Sequence, residues 1–173
     1  MIERFLESKL AVDLTASVLK HFRTKRNNRL PQVLFEETLK SAGEMDIELA
    51  IFDMIDGELN VLLIPRKPDD KIWPGEPLHL PGTNIRGHET EEAALKRLLE
   101  SEVKGNNLSE IRKGKTEPRL QTKRGMEKAS IYWTYGSGDP VVGKYYPVYN
   151  LPENVIDHHV KLIQIATTQL LNW

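Results

Sequence analysis

Apolar residues fall into two rhythms along this chain. Between residues 2 and 22 they recur at three- and four-residue steps (Ile2, Phe5, Leu6, Leu10, Leu14, Val18, Phe22), the period of a helix with one buried face. A second helix is expected over Gln32 to Ser41, stopped by Gly43. Together they predict an N-terminal helical arm, residues 1–44, ahead of a main domain, residues 45–173. The rhythm then shortens. Ile47 to Met54 and Leu59 to Pro65 are apolar runs of strand length, joined by Asp56-Gly57, a hairpin-turn pair.

Lys67 to Glu76, with its prolines and glycine, reads as a loop, and Leu78-His79-Leu80 as a short strand. The helical period returns over Thr90 to Val103. Thr90 is placed to cap it, Glu91 and Glu92 suit the positive end of its dipole, and Gly105 stops it. Strands are expected over Glu117 to Arg124 and Ala129 to Tyr135 around a turn at Gly125, with a further strand over Lys144 to Tyr149. Val155, His159, Leu162, Ile163, Ala166 and Leu170 predict a closing helix over Asn154 to Leu171. Helical arm, strands, helix, strands, helix: the order is that of an α+β sandwich.

Composition narrows the chemistry. The chain has 173 residues, 39% apolar and 28% charged, with a net charge of −1. That balance creates no global field toward nucleic acid or acidic lipid, so neither is an expected partner. The basic run Arg23 to Arg29 carries no interleaved aromatic residue and reads as a solvated turn. There is no cysteine, which excludes disulfides, a thiol nucleophile and a thiolate zinc site. Charges break up the first residues, unlike a signal peptide, and no apolar run approaches the roughly 20 residues of a membrane span. The expectation is a cytoplasmic protein, with the arm a candidate homodimer contact.

The chemistry is concentrated in Pro81-Gly-Thr-Asn-Ile-Arg-Gly-His-Glu-Thr-Glu-Glu-Ala-Ala-Leu-Lys-Arg-Leu-Leu-Glu-Ser-Glu102. This stretch resembles a degenerate Nudix box, whose pattern is Gly, five residues, Glu, seven residues, Arg-Glu-aliphatic, any residue, Glu-Glu, any residue, Gly. With Arg97 on the Arg, Glu89 falls on the first Glu and Glu102 on the last. Leu98 and Ser101 stand where the family has carboxylates, and Thr83 and Lys104 where it has glycines. A register one step earlier puts Gly82 on the first Gly but His88 on the first Glu; the first register is preferred because it keeps the Glu–Arg pair.

On a helix, positions i, i+3 and i+4 share a face, and three carboxylates there bind Mg²⁺ or Mn²⁺ through oxygen. Here that face carries Leu98, Ser101 and Glu102, a single charge. The run Arg97-Leu98-Leu99-Glu100-Ser101-Glu102 is similar to the GDP-mannose glycosyl hydrolase variant of the family. The resemblance implies a Nudix-type α/β/α sandwich with a mixed sheet. It implies Mg²⁺ or Mn²⁺, weakly bound without substrate, held by Glu102 and the Gly82 carbonyl. Glu89 and Arg97 would order the loop. The ligand would be a small nucleotide-type molecule, and the reaction hydrolysis of a nucleoside diphosphate linked to another moiety, a nucleotide sugar among the options. The alternative is a catalytically inactive module that binds a nucleotide or a protein.

The variant's histidine base has no counterpart between His88 and His158, which leaves Gln121 and Asp139 as the nearby catalytic candidates. Arg86 and His88 in the box loop are candidate phosphate contacts, and Tyr132 a candidate platform for a base or sugar. His158 and His159 are adjacent, a spacing that cannot readily chelate one metal from a helix.

Overall fold

The alternation along Met45-Asp-Ile-Glu-Leu-Ala-Ile-Phe52 sets the layers of the molecule. The computed structural model describes residues 45–86 and 89–173. The expected arm (1–44) and His88 lie outside the described residues. Strand β1 (Met45–Ile55) buries both faces. Ile47, Leu49 and Ile51 enter one core, and Ala50 and Phe52 the other. A strand covered on two sides is apolar nearly throughout, which is why this segment reads as a run.

The other strands are β2 (Glu58–Pro65), β3 (Leu78–His79), β4 (Gly82–Asn84), β5 (Asn107–Leu108), β6 (Arg112–Thr122), β7 (Gly125–Ser137) and β8 (Lys144–Pro147). Their order is β3-β2-β1-β7-β5, with β4 on β1, β6 on β7 and β8 on β2. The β1–β7 pairing is parallel, from Met45↔Lys128 to Phe52↔Tyr135, and the rest are antiparallel, so the sheet is mixed. Asp56 and Gly57 turn the first hairpin at φ of 52° and 83°, the paired positive values that a two-residue type I′ turn requires.

Helix α1 (Glu91–Glu102) covers one face through Ala94 and Leu98, and helix α2 (Asp157–Leu171) the other through Leu162, Ile163 and Ala166. The architecture is the expected α/β/α sandwich. No described helix is long and apolar enough to cross a membrane.

Several elements differ from the sequence pattern. β4 and β5 are too short to show alternation. β6 begins at Arg112, through residues whose charges face outward. α2 begins at Asp157 because the backbone just before it is used by β3: Leu78 N–H donates to Asn154 O and Ile156 N–H to Leu78 O, each at 3.0 Å.

Candidate functional site

Helix α1 starts where Thr90 caps it, its Oγ1 accepting the Ala93 N–H at 3.2 Å. Two turns later Arg97 reaches back over the preceding loop. Its Nε and Nη2 donate to the two Glu89 oxygens at 2.9 and 2.7 Å, Nη1 to Thr83 Oγ1 at 2.6 Å, and Nη2 to Asn84 O at 2.9 Å. That guanidinium pins loop, β4 and helix together and draws the Glu89 carboxyl below its ordinary range. It is the pair that the chosen box register preserves.

The two positions at which the resembled pattern has carboxylates go separate ways. Leu98 is fully buried in the α1-side core. Ser101 is exposed, and its hydroxyl donates to the Arg97 and Leu98 carbonyls of its own helix at 2.9 and 3.2 Å. Only Glu102 turns to β4, where its Oε2 accepts the Gly82 N–H at 3.4 Å. Burial raises its carboxyl pKa.

Gly82 lies on an edge. Pro81 O accepts from Leu49 N–H at 2.9 Å, and Ile85 N–H donates to Met45 O at 3.0 Å. Antiparallel alternation therefore turns the amide and carbonyl of Gly82 away from β1, to the side where Glu102 waits. Across the pair stands Glu48. Its carboxylate fills the space a side chain at 82 would need: an added Cβ would lie 2.7 Å from the carboxyl carbon. Two acids from different elements thus meet at this glycine.

Behind them runs a buried polar layer. Asp46 accepts from Asn84 Nδ2 and pairs with Arg124 at 3.3 Å. Arg124 also reaches Glu127, Nε to Oε1 at 2.7 Å. Arg66 and Arg124 both stack on Trp73, with guanidinium carbons 4.7 and 5.2 Å from its centroid. Burial sets the protonation here. It pushes Asp46 up to about 7, against the lowering effect of Arg124. It drives His79 down to about 3 and His158 to about 4, and puts His159 well below the usual range. Leu80 N–H donates to His159 Nδ1 at 3.3 Å, so that nitrogen carries no proton.

Solved structures of similar fold supply the comparison. The chain is similar to the Nudix domain of Shewanella oneidensis NrtR complexed with ADP ribose: TM-score 0.58, 19% identity, 82% of this chain and 99% of that one covered. A MutT/Nudix family protein from Listeria innocua matches at TM-score 0.58 and 16% identity, over 83% and 97% of the two chains. The Caenorhabditis elegans Ap4A hydrolase matches at 0.54 and 13%, over 74% and 98%. The fold is the Nudix fold. No protein-family model matches the sequence, and no curated protein is similar to it by sequence.

Within the Nudix fold the remaining sequence candidates scatter. Tyr132 is buried, not a free platform: its ring is part of the α1-side core and its hydroxyl donates to Glu91 at 2.6 Å. Arg86 is exposed, its backbone amide donating to Glu89 at 3.0 Å. Gln121, on β6 beside the start of β7, and Asp139, two residues past the end of β7, stand far apart along that strand. Gln121 pairs with Met126 and lines a cleft of about 470 Å³ with Trp73 and His158. Asp139 lines another, of about 570 Å³, with Ile55 and Tyr145. No single site contains both.

Sequence reasoning missed Glu48, Asp46 and Arg66. The signal was there: Asp46 and Glu48 share strand parity with Ala50 and Phe52, which places two acids on a core-facing row.

Proposed function

We propose that this chain is a Nudix-type hydrolase of a nucleoside diphosphate linked to another moiety, working with a divalent cation held at Glu102. The observation that carries the reading is the placement of Glu102: half-buried, facing the exposed backbone edge at Gly82, at the end of a helix fixed to its loop by Arg97. Carboxylate and carbonyl oxygen are hard donors that suit Mg²⁺ or Mn²⁺. Among the described residues no three His, Asp or Glu side chains converge on one point. The protein shell is therefore sparse, and substrate phosphate oxygens complete it, as is common for Mg²⁺. The bound ion would neutralise the diphosphate and acidify a water.

The chain's own residues do the rest. Glu102 and the Gly82 carbonyl hold the ion, Glu89 and Arg97 keep the loop in place, and Arg86 is free to meet phosphate. Similarity to a domain complexed with ADP ribose and to an Ap4A hydrolase supports a ligand in which a nucleotide is joined through phosphates to a second group. Leu98 and Ser101 favour the second reading, a binding module without turnover.

Nucleotide sugars, ADP-ribose, dinucleoside polyphosphates and nucleoside triphosphates form the panel that separates the two, with Mg²⁺ and then Mn²⁺. Hydrolysis of one class, lost in Glu102→Gln, is the expected result. A ligand that raises the melting temperature with no turnover anywhere would move the chain to the binding module. Turnover undiminished in Glu102→Gln would remove Glu102 from the site.

A further inference from the structure

Helix α1 offers one carboxylate where its family pattern has three, and strand β1 carries a candidate replacement. We propose that Glu48 is a second protein ligand of the cation, so that the ion is held at Gly82 between a strand carboxylate and a helix carboxylate. The inference rests on the hydrolase reading above and adds a ligand from outside the box.

The first ground is an unsatisfied oxygen. Glu48 is 7% exposed, and its Oε2 has no hydrogen-bond partner. A buried carboxylate oxygen left in this state is costly unless a proton or cation meets it. The neighbouring groups do not. His159 Nδ1 lies 3.6 Å away, but its lone pair is taken by the Leu80 N–H, so two acceptors face each other. Arg66 is near, but its guanidinium lies over Trp73 and reaches Asp70 at 3.9 Å.

The second ground is the shape at Gly82. With no Cβ in the way, the Glu48 carboxylate is seated directly against the edge strand, beside the amide that Glu102 accepts from. Asp46, one register step along the same face, is a built-in contrast: both its oxygens have partners, in Asn84 and Arg124. A dication between the Glu48 and Glu102 carboxylates would offset their mutual repulsion.

The test is Mn²⁺ binding to the full chain without nucleotide, followed by the electron paramagnetic resonance of the free ion. Wild type is expected to bind one Mn²⁺. Glu48→Gln and Glu102→Gln should each weaken binding by roughly tenfold or more, the loss expected when one charged ligand becomes neutral. Asp46→Asn, which removes a neighbouring charge but no ligand, should weaken it far less. Gln is isosteric with Glu, and a thermal melt checks that Glu48→Gln folds; Glu48→Asp, which keeps the charge but shortens the reach, should also bind more weakly. Mn²⁺ affinity unchanged in Glu48→Gln, or equally reduced in Asp46→Asn, would overturn the inference. So would the lack of saturable binding by wild type up to millimolar Mn²⁺. In each case Mg²⁺-dependent turnover, measured separately, shows whether the hydrolase reading stands without it.

Discussion

At the scale of single residues, positions 98 and 101 differ in a way that can be measured. Leu98 has no exposed surface, whereas Ser101 is exposed and bonds only to its own helix. An acid at 98, as the Nudix pattern would have it, would bury a charge in an apolar core. Leu98→Glu should cost about 3 kcal/mol or more of stability, and Ser101→Glu should stay within about 0.5 kcal/mol. Urea midpoints of the two variants check this; equal midpoints would mean that residue 98 faces the site after all. That positions 98 and 101 matter was read from the resemblance of residues 81–102 to a Nudix box. Glu48 was missed although its parity with Ala50 and Phe52 marks a core-facing row; what the sequence does not give is the layer that covers that row. What covers it here is α2, which brings His159 from a distant part of the chain.

At the scale of elements, Arg97 makes β4, the box loop and α1 one unit. Its planar fork serves Glu89, Thr83 and Asn84 at once, which a lysine ammonium cannot do. Arg97→Lys should lower stability by about 1–2 kcal/mol at unchanged net charge, read from chemical denaturation. Full stability in that variant would show that the loop is held by other contacts. The hairpin at Asp56-Gly57 and the two helices were predicted because turn chemistry and helical period are local properties. β4 was not: its three residues pair with β1 only because the loop and Arg97 deliver them there. Since β4 carries Gly82, the missed element is also the one that shapes the candidate site.

At the scale of the molecule, the α2 face of the sheet combines an apolar core with a buried ionisable layer, and its acid response follows. His79 is held near a pKa of about 3, mainly by burial and then by Arg66, against an ordinary 6.5. Its stabilising contribution is therefore present above the ordinary value and is lost as pH falls toward 3. Asp46 acts in the opposite sense: with its carboxyl raised to about 7, its contribution is present below 3.8 and fades as pH rises through 7. The two overlap, so the His79 effect is read as a difference. Between about pH 6 and 4, His79→Gln should lose less stability than wild type, by about 1.4 kcal/mol per pH unit. Parallel urea-midpoint curves would mean that His79 titrates normally.

The Nudix fold brings the box helix, the edge glycine and the strand acids to one place, proposed here to take a metal-bound diphosphate. The most direct measurement is turnover of the nucleotide panel by the purified chain in Mg²⁺, before and after chelation, beside Glu102→Gln. Hydrolysis should stop with the chelator, return with Mg²⁺ and be lost in the variant. No hydrolysis of any member in Mg²⁺ or Mn²⁺, or hydrolysis indifferent to the chelator, would contradict the proposal.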